Sequence, residues 1–158
     1  MSRNITPVSE DQCPEHLRTN RSSFTRWFGR TFYRAIGWNL EGKIADAQRV
    51  MVVAAPHTSN WDFVYGICVI LGINARVRWL GKHSIFKFGV AWFFRWLGGI
   101  PVNRAKPDAV MGYVDKAVKK DNGLIIVVAP EGTRKKATKW KTGFLRIAKK
   151  NNCVIQMD

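Results

Sequence analysis

Two short stretches of this chain carry almost no polar side chains: Arg49 to Ala55 (RVMVVAA) and Gly123 to Ala129 (GLIIVVA). Neither alternates apolar with polar residues, so a strand built from either must be covered on both faces. That demand is met when helices pack on both sides of a sheet, as crossover connections between parallel strands provide. The rest of the chain supplies the helices. Helical patterns run over Ser59 to about Leu71, over the aromatic segment Ser84 to Leu97, over Pro107 to Lys120 with proline near the first turn, and over Thr142 to Lys150. Shorter extended pieces fall at Ala75 to Leu80, Ile100 to Asn103 and Cys153 to Met157. Strands alternating with helices predict an α/β class: a layered, largely parallel or mixed sheet with flanking helices and an N-terminal amphipathic helix.

The N-terminal helix is predicted from Phe24 to Ile36. Phe24, Trp27, Phe28, Thr31, Phe32, Ala35 and Ile36 recur at helical spacing, while Arg26, Arg30 and Arg34 form a separate stripe. Two readings fit this pattern. The apolar face packs on the core, or the helix lies in a lipid headgroup layer. Residues 1–22 are polar, carry Pro7 and Pro14, and are expected to form a mobile tail. Residues 23–158 are expected to form a single domain. The chain ends as a strand begins, so either this strand closes the sheet or the chain is a shortened version of a longer domain.

Charge narrows the partners. The chain of 158 residues has 26 Lys and Arg against 11 Asp and Glu, a net +15, together with seven Trp and nine Phe. Such a balance favours nucleic acid, an anionic membrane surface or phosphorylated substrates. A nucleic-acid-binding module is the alternative from a different class. No recognised nucleic-acid motif is present, and the aromatics cluster in apolar helical stretches rather than on an alternating strand face. The three cysteines, Cys13, Cys68 and Cys153, make no CxxC or zinc spacing and are read as reduced thiols in a cytosolic setting. The first twenty residues are too polar for a signal peptide. The apolar run Phe63 to Ile73 falls short of the roughly 18–20 residues a membrane span needs.

Ligands of open α/β sheets bind beyond the C-terminal ends of the strands. Three polar clusters follow predicted strands. The first is His57 to Asp62 (HTSNWD). Ser59 and Asp62 fit S-x-x-D, a capping box, and this alone accounts for both residues as a helix start. His57 and Asp62 are five residues apart and would point about 140° away from each other on one helix. They meet only if His57 lies in the loop before the cap and folds back, and an aspartate on one imidazole nitrogen would then leave the other free to take a proton. The second cluster is Gly98 to Arg104 (GGIPVNR), where Arg104 is either a phosphate clamp or a solvated arginine. The third is Pro130 to Arg134 (PEGTR), with Glu131, Gly132, Thr133 and Arg134. It is either an anion-binding turn or a solvated ion pair. His83 and His16 read as structural or exposed.

Taken in order, HTSNWD, GGIPVNR and PEGTR followed by a basic helix resemble the glycerolipid acyltransferase family, typified by 1-acyl-glycerol-3-phosphate (lysophosphatidic acid) acyltransferases, over roughly Arg49 to Met157. The family's fourth block, an apolar strand with prolines, has no counterpart in Asn152 to Asp158. The resemblance implies an O-acyltransferase of phospholipid biosynthesis. It would move a fatty acyl group from acyl-coenzyme A or acyl-carrier protein to a lysophospholipid-type hydroxyl, with no cofactor and no metal. His57 is then the general base and Asp62 its orienting carboxylate. Arg104, Glu131, Gly132, Thr133 and Arg134 hold the acceptor's phosphate and glycerol parts. An inactive, truncated lipid-binding remnant is the other outcome the missing block allows. A membrane-lipid acceptor further implies a cytoplasmic protein held peripherally on the inner face of the membrane, with no specific nucleic acid. Phe24 to Ile36 and Phe86 to Trp96 would supply apolar insertion. Lys135, Lys136, Lys139, Lys141, Arg146, Lys149 and Lys150 would meet lipid headgroups, a carrier protein or coenzyme A phosphates, or else form a solvated face.

Overall fold

A computed structural model describes residues 7–55, 59–87, 89–103, 107–131 and 139–157. The chain divides into two compact units: Met1–Asp46 with Ser59–Arg76, and Ala47–Thr58 with Val77–Asp158.

The second unit holds the sheet. Its strands are β1 (Arg49–Val53), β2 (Val77–Lys82), β3 (Gly99–Val102), β4 (Leu124–Val128) and β5 (Val154–Met157), in the order β3-β2-β4-β1-β5. Every pairing is parallel. The two apolar runs, β1 and β4, lie side by side with Met51 opposite Ile126 and Val53 opposite Val128. Those four side chains share one face with Leu124. They pack against Val114 and Val118 of α4 (Pro107–Lys120) and Phe144, Ile147 and Ala148 of α5 (Gly143–Lys150). Val50 and Ile125, one residue out of phase, are also buried, so β1 and β4 are enclosed on both faces as their composition requires. Pro101 is tolerated because β3 is an edge strand with a single neighbour. Across α4 and α5, Lys150 Nζ donates to Asp115 Oδ2, and this contact first, with Asn151 second among the hydrogen bonds, holds the Asp115 carboxyl below its usual range.

The expected helix from Ser84 to Leu97 is not continuous. Strand β2 runs on to Lys82, a 3-10 turn follows at His83–Ile85, and a helix, α3, covers only Ala91–Trp96. The cause is an aromatic cluster. Phe86 and Phe94 meet at 5.9 Å between ring centroids, and both pack on buried Trp79 at 5.6 and 6.0 Å. Eight residues of continuous helix would hold their Cα atoms about 12 Å apart. The chain must turn for the rings to meet.

The first unit is built on two helices, α1 (Ser23–Ala35) and α2 (Asn60–Gly72). They approach backbone to backbone at Gly29, where a Cβ would lie 2.6 Å from the Cys68 carbonyl oxygen and 2.8 Å from the Gly72 nitrogen. Arg30 Nε donates to the Gly72 carbonyl at 2.9 Å and so satisfies an orphan acceptor at the end of α2. The arginine stripe of α1 is therefore not simply solvated. Arg26 and Arg30 both pair with Glu10, at 2.5 and 3.3 Å. Gly29 and Tyr33 face inward while Phe24, Trp27 and Phe28 stay exposed.

Over residues 7–22 the polar N-terminal segment is packed rather than the mobile tail expected from its composition. Two 3-10 turns, Glu10–Gln12 and Glu15–Leu17, bury Val8, Gln12, Cys13 and Leu17. Arg18 forms an antiparallel bridge with Ala75, and the Arg76 N–H donates to the Leu17 carbonyl at 2.7 Å. This pairing takes up Ala75 and Arg76, so β2 begins at Val77, two residues later than its apolar pattern suggested.

Candidate active site

Because the sheet is parallel, the chain leaves β1, β3 and β4 at the same edge. All three polar clusters follow those exits in sequence. At the end of β1 the ladder continues for one more bond, as the Ala54 N–H donates to the Val128 carbonyl at 3.0 Å. At the end of β4, Ala129 and Pro130 lead to Glu131, which is 8% exposed. The chain is pinned again beyond this point, where the Lys141 N–H donates to the Pro130 carbonyl at 2.9 Å. At the end of β3, Asn103 is exposed. His57, Arg104, Gly132, Thr133 and Arg134 lie outside the described residues. Of the candidate site residues, Asp62 and Glu131 are described.

Asp62 belongs to the first unit and opens α2. The Ser59 N–H donates to Asp62 Oδ2 at 2.6 Å, the Trp61 N–H donates to Ser59 Oγ at 3.1 Å, and the reciprocal capping box is complete. The box satisfies amide groups that a helix start leaves without partners. It also fixes the carboxylate one turn into α2, where the positive end of the helix dipole favours a negative charge. The structural reading of S-x-x-D thus holds, and it leaves chemistry at Asp62 open.

One feature near Asp62 escaped the sequence reading. Tyr65 stacks on Trp61 at 6.1 Å and on Trp38 at 5.1 Å, giving α2 an aromatic ladder along its first two turns. The i, i+4 spacing of Trp61 and Tyr65 was legible, but the part played by Trp38, from a separate segment, was not. His16 Nδ1 lies 3.8 Å from Asp46, and His83 is exposed in its 3-10 turn. Among the described residues no group of three His, Cys, Asp or Glu is placed to hold a metal ion. No described helix is long and apolar enough to cross a membrane. The three cysteines are free thiols. Burial pushes Cys13 up to about 11, and it raises Cys68 and Cys153 as well.

A family model described as Acyltransferase matches residues 20–156, a span that contains all three polar clusters. The chain belongs to the acyltransferase family. Among solved structures, the 1-acyl-sn-glycerophosphate (LPA) acyltransferase PlsC from Thermotoga maritima matches with a TM-score of 0.57 at 28% identity, over 84% of this chain and 54% of that one. The chain thus spans about half the length of that acyltransferase. No curated protein matches by sequence.

Proposed function

We propose that this protein is an O-acyltransferase that moves a fatty acyl group from a thioester donor, acyl-coenzyme A or acyl-carrier protein, to the free hydroxyl of a lysophospholipid-type acceptor. The first acceptor to consider is 1-acyl-glycerol-3-phosphate. The observation that carries the reading is the family match over 20–156, which spans the H-x4-D, GGIPVNR and PEGTR blocks in order. The likeness to a solved acyltransferase named for 1-acyl-sn-glycerophosphate supports the acceptor class.

The chemistry assigned to the residues is short. His57 takes the proton from the acceptor hydroxyl as its oxygen attacks the thioester carbonyl. The tetrahedral intermediate collapses by breaking the C–S bond, and the leaving thiolate recovers the proton from the imidazolium. Asp62 orients the imidazole and stabilises its charged form. Support for that role is the Ser59 N–H bond to its Oδ2, which restricts the rotation of the carboxylate. No covalent acyl-enzyme is needed. Arg104 and Arg134 suit the acceptor phosphate, which guanidinium groups bind bidentately. Glu131 is a poor phosphate ligand and a better partner for an arginine or an acceptor hydroxyl. An amphiphilic acceptor favours work at a membrane surface, and the exposed aromatics of α1 are consistent with peripheral contact.

The test is a donor-by-acceptor panel with purified protein. Acyl transfer onto 1-acyl-glycerol-3-phosphate or another lysolipid supports the proposal. Absence of transfer with every thioester donor and every lysolipid acceptor sinks it.

A further inference from the structure

Helix α3 has two aromatic sides. Phe94 turns inward onto Trp79 and Phe86, and Leu97, just past the helix, is fully buried. Trp92, Phe93 and Trp96 turn outward and are 69%, 36% and 47% exposed. The outward rings are not scattered. Phe93 touches Trp92 at 5.9 Å and Trp96 at 6.1 Å, and exposed Val90 extends the patch. Isolated exposed apolar residues are ordinary, but a contiguous patch of large aromatics marks an interaction surface.

The charge around the patch narrows the partner. Between Gly81 and Asn103 the chain carries Lys82, Lys87 and Arg95 and no Asp or Glu. Arg95 is exposed on α3 itself, and Lys82, His83 and Lys87 are exposed along the turn that Phe86 ties to α3. A second copy of the chain fits poorly, since symmetric pairing would set one basic patch against another. An anionic bilayer fits on both counts. Trp and Phe favour the headgroup boundary, and basic side chains beside them meet anionic lipid. The helix is only about 9 Å long, enough to dip into the interface and too short to span it.

We propose that the outward face of α3, formed by Trp92, Phe93 and Trp96 and flanked by Arg95, Lys82 and Lys87, is a docking surface for an anionic lipid bilayer. The inference stands apart from the acyl-transfer reading, because vesicle binding needs no turnover.

The experiment is co-sedimentation with vesicles of phosphatidylcholine alone and of phosphatidylcholine mixed with phosphatidylglycerol. The proteins are the wild type, a Trp92→Ser/Phe93→Ser double variant, Arg95→Glu, and Phe24→Ser/Trp27→Ser on α1. Thermal unfolding serves as the folding control, and all of these side chains are exposed to solvent. The double variant should lose at least about tenfold in binding to the anionic vesicles. Arg95→Glu should lose about tenfold on anionic vesicles and little on neutral ones. Three results would overturn the proposal. The first is wild type that does not bind anionic vesicles. The second is binding lost by the α1 variant but kept by the α3 double variant, which assigns the contact to α1. The third is a wild-type oligomer that the α3 variant converts to monomer, which assigns the patch to a second copy.

Discussion

Asp62 has two jobs in this account, and substitution can pull them apart. It closes the capping box through the Ser59 N–H at 2.6 Å, and in the proposed reaction it orients His57. Asp62→Asn keeps a carbonyl oxygen able to accept that N–H and removes the charge. The expected stability loss is the dipole contribution alone, about 0.3–1 kcal/mol. Ser59→Ala does the reverse. It removes the hydroxyl that accepts from the Trp61 N–H at 3.1 Å, at a cost of about 1 kcal/mol, while its own backbone N–H still holds Asp62. Stability and activity should therefore cross over. Ser59→Ala should lower Tm by about 2–4 °C with activity reduced only a few-fold. Asp62→Asn should lower Tm by no more than that and reduce kcat on the order of 10²–10⁴-fold, the range for loss of an orienting carboxylate. Thermal unfolding and acyl transfer measured on the same preparations read both axes. If activity merely follows Tm across the pair, Asp62 is only a helix cap and the assigned role is wrong.

Two further outcomes test the framework around the site. Gly98 has φ +88°, and a Cβ there would lie 1.9 Å from the Val77 carbonyl oxygen, so Gly98→Ala should lower stability by at least about 3 kcal/mol; a Tm within about 2 °C of wild type would contradict the turn between α3 and β3. Cys13 is fully buried with its thiol raised from 9.0 to about 11, so its stabilising contribution is fully present below pH 9 and is lost as pH rises through 11; wild type should lose more stability than Cys13→Ala across that window, and parallel curves would refute the assignment.

The sheet and most helices were readable because their signals are local. The apolar runs of β1 and β4 state that both faces are buried, and α4 begins at the proline and ends at the lysines where its pattern does. Two features were not readable because they depend on partners distant in sequence. Residues 7–22 offer Val8, Cys13 and Leu17 as apolar anchors among polar residues, and their order comes from pairing with Ala75 and Arg76 and from Gln12 Nε2 donating to the Leu40 and Gly42 carbonyls. The break before α3 comes from ring contacts of Phe86 and Phe94 with Trp79, which a helical count of apolar residues does not see. At the site, the order of the three blocks and the S-x-x-D box were legible, and the box is present in full. The stacking of Trp38 on Tyr65 was not, since the two side chains are brought together only by the fold.

The central claim is that His57 is the base in acyl transfer. The most direct measurement is the rate of transfer from labelled acyl-coenzyme A to 1-acyl-glycerol-3-phosphate by wild type and His57→Ala, both confirmed folded by thermal unfolding. The account predicts clear turnover by wild type and a His57→Ala loss larger than that of Asp62→Asn, because the base itself is gone rather than its support. Wild-type turnover that persists undiminished in His57→Ala would contradict it.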